Sequence, residues 1–232
     1  MKNNTDTYKV AEKFVSINGE SRLAGELAVF IRLLGCNLNC TYCDTAWAIP
    51  VDGPCELMNL DEIIEYVEGT GVKNVTITGG EPLLQPGLEN LILELISRNH
   101  KVEIETNGAI SIKGLREIAD NYSLTSQLSV TLDYKCPTSG MEEFMLPENY
   151  DYLRKYDTVK FVVGDRTDLE RAKEIIERYR LVEREIAVYL SPVFGSIASA
   201  EIVEYMIEHK MNGVRNQLQQ HKFIWDPDKR GV

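Results

Sequence analysis

Seven apolar runs alternate with amphipathic stretches along most of this chain, and that alternation restricts its fold more than any other feature. The runs fall at residues 27–33, 74–78, 101–105, 128–132, 158–163, 185–190 and 214–218. Several are rich in Val and Ile, as buried parallel strands usually are. Between them, apolar residues recur at helical spacing. Leu60, Ile63, Ile64 and Val67 form one stripe behind a capping box, with Asn59 as N-cap and Glu62 three residues on. Leu88, Leu91, Ile92, Leu95 and Ile96 form a second. Leu169, Ala172, Ile176 and Tyr179 form a third, for which Thr167 and Glu170 read as the capping box. Ile202, Val203, Met206 and Ile207 mark a fourth. Such alternation builds a parallel sheet with right-handed crossovers. Six or seven units in 232 residues suit an α/β fold of the open, partial β/α barrel type, because a closed eight-fold barrel takes about 250. No repeat or linker divides the chain, so residues 1–232 read as one domain. Ligands of such sheets gather at the C-terminal ends of the strands.

Composition narrows the partners. A net charge of -11 argues against nucleic acid, whose phosphates call for a basic surface. No apolar run reaches the roughly 18 residues of a membrane helix, and the polar first ten residues lack the apolar segment of a secretory signal. The expectation is a soluble, cytoplasmic protein. Cys36, Cys40, Cys43, Cys55 and Cys136 are an odd set with three members inside eight residues. That pattern suits metal ligation in a reducing compartment better than a disulfide framework.

Cys36, Cys40 and Cys43 stand in a polar loop directly after the run at 27–33. Thiolates are the natural ligands of iron–sulfur clusters. Three of them hold three irons of a [4Fe–4S] cubane and leave the fourth iron open to a chelating small molecule. The other reading is a structural zinc site, which normally takes four protein ligands. His100, His209 and His221 are distant in sequence, so Cys55 would have to be the fourth. A second motif, Thr78-Gly79-Gly80-Glu81-Pro82, follows the run at 74–78. Alone it reads as a strand-to-helix turn; two glycines also let backbone approach a ligand closely. Arg32 has apolar neighbours on its strand, so it should be buried and paired. Its planar fork of donors suits a carboxylate.

The cysteine spacing resembles the signature of the radical S-adenosylmethionine superfamily, and the Gly-Gly-Glu-Pro motif supports the match. The segment 14–20, the strand carrying Arg32, Cys43-Asp44-Thr45, Glu105-Thr106-Asn107-Gly108, Asp133-Tyr134-Lys135 and Leu218-Gln219-Gln220-His221-Lys222 together resemble the 7-carboxy-7-deazaguanine synthase family over nearly the whole chain. That resemblance implies a reduced partial barrel, usually homodimeric. It implies conversion of 6-carboxy-5,6,7,8-tetrahydropterin to 7-carboxy-7-deazaguanine with release of ammonia, by hydrogen abstraction and ring contraction, for queuosine and related deazapurine pathways. The implied cofactors are a [4Fe–4S] cluster, S-adenosylmethionine and Mg2+, with a flavodoxin-like or other electron donor.

Residue by residue, the resemblance implies that Thr45 binds magnesium. Tyr42, Cys43, Asp44, Gly80, Asp133, Tyr134, Lys135, Ser191, Pro192, Val193 and Phe194 would contact S-adenosylmethionine. Ile17, Asn18, Gly19, Glu20, Arg32, Thr78 and His221 would contact substrate. Two departures stand out. Ser21 replaces a common glycine after Glu20. The chain also runs on past Lys222 to Val232, so the terminal-carboxylate role of shorter members does not carry over. The rival readings are a glycyl-radical activating enzyme, which would need a groove for a partner's loop, and a zinc-binding interaction module.

Overall fold

The computed structural model describes residues 6–124 and 126–232. Its strands are β1 (Thr7–Ile17), β2 (Leu27–Leu33), β3 (Glu56–Asn59), β4 (Asn74–Gly79), β5 (Lys101–Thr106), β6 (Leu128–Tyr134), β7 (Thr158–Val163), β8 (Ala187–Pro192) and β9 (Val214–Asn216). The helices are α1 (Leu60–Thr70), α2 (Leu88–Ser97), α3 (Lys113–Asn121), α4 (Asn149–Tyr152), α5 (Arg166–Arg178), α6 (Ser199–Glu208) and α7 (His221–Ile224). The strands form one open sheet in the order β3-β1-β2-β4-β5-β6-β7-β8-β9. From β2 to β9 every pairing is parallel, and these seven strands are the seven apolar runs. The fold is the expected α/β type with an open, partial barrel sheet.

The two faces of the sheet differ in chemistry, as period-two alternation requires. Val29, Ile31, Leu33, Val75, Ile77, Val102, Ile104, Val130, Leu132, Val159 and Phe161 point to one face and join the buried core. The stripes of α1, α2, α3, α5 and α6 close over that core. Arg32, Thr78, Glu105, Thr131, Asp133 and Lys160 point to the other face and line a cavity. No helix among the described residues is long and apolar enough to cross a membrane.

Local rules account for the element ends. The Asn59 cap is present: its side chain accepts from Glu62 N at 3.0 Å, and Glu62 accepts from Asn59 N at 2.7 Å. The expected box at Thr167 is displaced. The N-cap of α5 is Asp165, which accepts from Asp168 N at 3.1 Å, and Thr167 lies inside the helix. β8 begins later than the apolar run because Glu185 has φ +60°, which a strand does not accommodate.

β1 and β3 are additions to the sequence reading. β1 carries Lys9, Glu12 and Lys13 among its apolar residues, and a register shift between Val10 and Glu12 breaks its alternation. Both neighbours of β1 are antiparallel to it. That pairing, rather than its own pattern, holds it in the sheet.

Candidate active site

The loops after β2, β4, β5, β6 and β8 meet around a cavity of about 490 Å³. One wall is the cysteine loop. Cys36, Cys40 and Cys43 are free thiols and all line it. Burial pushes the Cys36 and Cys40 thiols up, so a metal taking them as thiolates would displace their protons. Leu38 N donates to Cys36 Sγ at 3.4 Å, and Asn107 Nδ2 donates to Asn37 Oδ1 at 2.9 Å, which pins the loop to the end of β5. Cys55 is not on this wall, and buried Cys136 belongs to the core. Among the described residues no three His, Cys, Asp or Glu side chains converge on a single-ion site. Thiols that each take a separate corner of a cubane need not converge on one point.

Gly80 supplies a cradle beside this loop. A Cβ there would collide with the Gly35 carbonyl and come within 2.8 Å of Cys36 Cβ. Gly80 N donates to Leu33 O at 3.0 Å, and Glu81 N donates to Gly35 O at 2.8 Å. The Glu81 carboxylate is buried behind the turn. It accepts from Asn107 N at 2.7 Å, Leu83 N at 2.9 Å and the Thr106 hydroxyl at 2.9 Å. Burial still outweighs those bonds and pushes its pKa up to about 7. The turn reading and the ligand reading of Gly-Gly-Glu-Pro are compatible, since Pro82–Leu84 is a short 3-10 helix.

Another part of the lining is ionic. Glu12, Arg32 and Thr78 are register partners across β1, β2 and β4. Arg32 Nε donates to Glu12 Oε2 at 3.2 Å. Arg32 is half-buried rather than buried, and the carboxylate partner it was expected to need comes from within the chain, on an unanticipated strand. Next to this row, Phe14 and Phe30 stack at 4.9 Å, 6° from parallel, and both line the cavity. Lys160 Nζ lies 3.1 Å from Glu20 Oε2 and 3.8 Å from Asp133, which also holds Lys135 at 2.9 Å. Burial alone would raise the Glu20 pKa, but the Lys160 ammonium and Gln219 hold it below the usual carboxylate range.

The structure brings Ile17, Asn18, Gly19, Glu20, Arg32, Tyr42, Asp44, Thr45, Thr78, Gly80, Asp133, Lys135, Pro192, Val193, Phe194 and His221 to this one cavity, with the three cysteines. Two expected residues are placed elsewhere. Tyr134 packs on Phe161, 5.4 Å between ring centroids, and its hydroxyl donates to Glu142 at 2.7 Å. Ser191 is fully buried beside Glu20, behind the wall.

Ser21 adopts φ +63°, a conformation glycine takes without strain. Its hydroxyl donates to buried Glu103 at 2.7 Å, and Gln217 grips its backbone from both sides. The Glu20 loop thus has a defined path. Sequence reasoning missed Glu12, Trp47, Lys160 and the whole segment 227–232, and gave Asn107 and Gln219 no role beyond the motifs that contain them; all of these line the cavity.

Residues 30–134 match the Radical SAM superfamily. The chain is 50% identical to a 7-carboxy-7-deazaguanine synthase from Clostridium acetobutylicum, covering 97% of this chain and 99% of that one. The chain belongs to the 7-carboxy-7-deazaguanine synthase family. It is an enzyme of that kind, and the activating-enzyme and zinc-module readings are not favoured. A second family member, from Chlorobaculum tepidum, is 34% identical over 96% of each chain. The crystal structure of QueE from Escherichia coli shares the fold, with a TM-score of 0.72 at 22% identity over 93% of this chain and 95% of that one. As in the rest of the radical S-adenosylmethionine superfamily, family membership implies a [4Fe–4S] cluster and S-adenosylmethionine. The free thiols and the Gly80 cradle fit that pair.

Proposed function

We propose that this chain converts 6-carboxy-5,6,7,8-tetrahydropterin to 7-carboxy-7-deazaguanine, with residues 1–232 acting as one catalytic unit in the cytoplasm. The observation that carries the substrate reading is the ionic part of the cavity lining. A guanidinium at one end answers a carboxylate. At the other end, Glu20 Oε1 and Asn18 Nδ2 are buried without a hydrogen-bond partner among the described residues. An acceptor and a donor left open there suit the amidine-like edge of a pterin, because buried polar atoms without partners are costly. The stacked Phe14 and Phe30 give a flat ring an apolar flank.

When bound, the cluster and S-adenosylmethionine supply reductive cleavage and radical hydrogen abstraction. Cys36, Cys40 and Cys43 would hold the cluster. Gly80 would admit the cofactor's amino-acid end, and Asp133 with Lys135 its polar groups. His221 packs against Gly19. Burial lowers its pKa, so it presents a neutral imidazole to the substrate. Thr45 Oγ1 lies 3.7 Å from Cys43 Sγ, at the border between the cluster loop and the cavity. A hydroxyl in that place suits Mg2+, which takes oxygen ligands and keeps several non-protein ones. A flavodoxin-like donor would deliver the electron to a homodimer.

The test is anaerobic incubation of reconstituted protein with carboxytetrahydropterin, S-adenosylmethionine and dithionite, with and without Mg2+. Deazaguanine product stimulated by Mg2+ in wild type, with the stimulation lost in Thr45→Ala, is the expected result. Absence of product from protein with a full cluster would reject the substrate reading.

A further inference from the structure

The segment past α7 returns to the cavity. Residues 227–232 form part of its wall, and they lay outside every role assigned from sequence. Within this strap Arg230 makes two contacts. Its guanidinium carbon lies 3.5 Å from the centre of the Trp47 ring, and its Nε lies 3.7 Å from Glu12 Oε1. Arg32 holds the other oxygen of the same carboxylate and lies 6.0 Å from the same ring. One glutamate therefore sits between two guanidinium groups beside one indole.

Within this trio two cations share one anion, so Glu12 alone does not neutralise both guanidinium groups. Both arginines are paired with Glu12 through Nε, and among the described residues no Nη atom of either makes a hydrogen bond. Those Nη donors are available to a ligand, and parallel N–H donors match a carboxylate in shape as well as charge. Glu12 is 15% exposed and Arg230 58%. The acid is the fixed anchor, and the strap brings the second guanidinium to it from outside.

We propose that Arg230 is a substrate-binding residue: together with Arg32 it takes the substrate's carboxylate, while Glu12 and Trp47 hold both forks in place. This rests on the carboxypterin reading above and assigns it a second cation, one carried by the C-terminal strap. Trp47 lies just beyond Thr45, in the 3-10 turn Ala46–Ala48, so the strap docks on the cysteine loop itself. Selection for a carboxylated ring would thereby require an ordered cluster loop.

The test compares two ligands in anaerobic holoenzyme by calorimetry: carboxytetrahydropterin, and tetrahydropterin lacking the carboxylate. In wild type the carboxylated compound should bind more tightly. Arg230→Ala should weaken it by about 10- to 100-fold, the range of a lost charge-assisted hydrogen bond, and change the uncarboxylated compound by less than about threefold. Arg230→Lys should recover only part, because an ammonium cannot both stack on Trp47 and present a fork. Iron content of each variant checks that the loop has kept its cluster. Equal weakening of both ligands would make the strap a lid and overturn the proposal. No weakening of either would make Arg230 a surface residue resting on Trp47. Failure of wild type to bind the carboxylated compound would sink the substrate reading and this proposal with it. Tight wild-type binding matched by Arg230→Ala would sink this proposal alone.

Discussion

The two walls of the cavity are made of different material. The side proposed for the cofactor is thiol and backbone: the three cysteines, with Gly80 packed so closely on Gly35 and Cys36 that a Cβ there would collide. The other is made of charge in two sets: Glu12 with Arg32, and a chain of ion pairs through Glu20, Lys160, Asp133 and Lys135. The first wall depends on shape and leaves no room for an added atom. The second depends on charge balance, as where the Lys160 ammonium holds the Glu20 carboxylate below its usual range. A lesion in the first should act through fit, and a lesion in the second through charge.

Gly80→Ala is the largest expected break. The new Cβ would meet the Gly35 carbonyl, its carbon at 2.6 Å, and Cys36 Cβ at 2.8 Å. None of these is the free end of a flexible side chain. Relief requires moving the cluster loop. The variant should lose most of its iron and its S-adenosylmethionine affinity, while the ionic wall keeps its place in the sheet. Iron and sulfide analysis with equilibrium binding checks it. Full cluster occupancy would show that the loop tolerates the displacement.

The same contrast explains what the sequence disclosed. The cofactor wall comes from two short contiguous segments, 36–43 and 78–82, so residue type and spacing reveal it directly. The ionic wall is gathered one residue at a time from β1, β2, β6, β7 and the Glu20 loop. Lys160 sits in an apolar strand, where it reads as a break in pattern, and its role appears only when β7 registers it against Asp133. Glu12 was hidden more deeply. It meets Arg32 because a register shift turns it to the cavity on a strand that its own charges disguise. The strap was invisible because nothing in 223–232 indicates that the chain turns back. The parallel strands were legible because burial on the core face enforces apolar alternation.

Lys160→Met probes the ionic wall. Glu20 and Asp133 would lose the ammonium that lies between them. Breaking a buried pair by removing one partner costs about 3–5 kcal/mol. Asp133 keeps an ammonium, Lys135 at 2.9 Å, whereas Glu20 keeps neutral neighbours, Gln219 at 3.3 Å and buried Ser191. Damage should therefore fall on the Glu20 side. We expect intact cluster content, a modest loss of S-adenosylmethionine affinity and a much larger loss of pterin affinity. A lower melting temperature should accompany these changes. Equal loss for both ligands would mean that the chain of ion pairs acts as one unit and does not divide between cofactor and substrate.

The smallest effect concerns the floor beneath those ion pairs. Glu103 is buried, accepts from the hydroxyls of Ser21 and Thr131, and has one oxygen without a partner. Burial first, then repulsion by Glu105, pushes its pKa from 4.5 up to about 7 against those hydrogen bonds. The folded state therefore holds a proton that the unfolded state has released between about pH 4.5 and 7. Stability contributed by the neutral acid is present in full below pH 4.5 and is lost as pH rises through 7. At about 1.4 kcal/mol per unit, the loss is at most about 3.5 kcal/mol. Glu103→Gln does not titrate and keeps an acceptor for both hydroxyls. Its melting temperature should fall less than that of wild type between pH 5 and 8. Glu81 carries a similar shift, but it is present in both proteins and cancels in the difference. Parallel curves would show that Glu103 stays ionised across the range. The Ser21 hydroxyl would then be donating to a carboxylate at every pH tested.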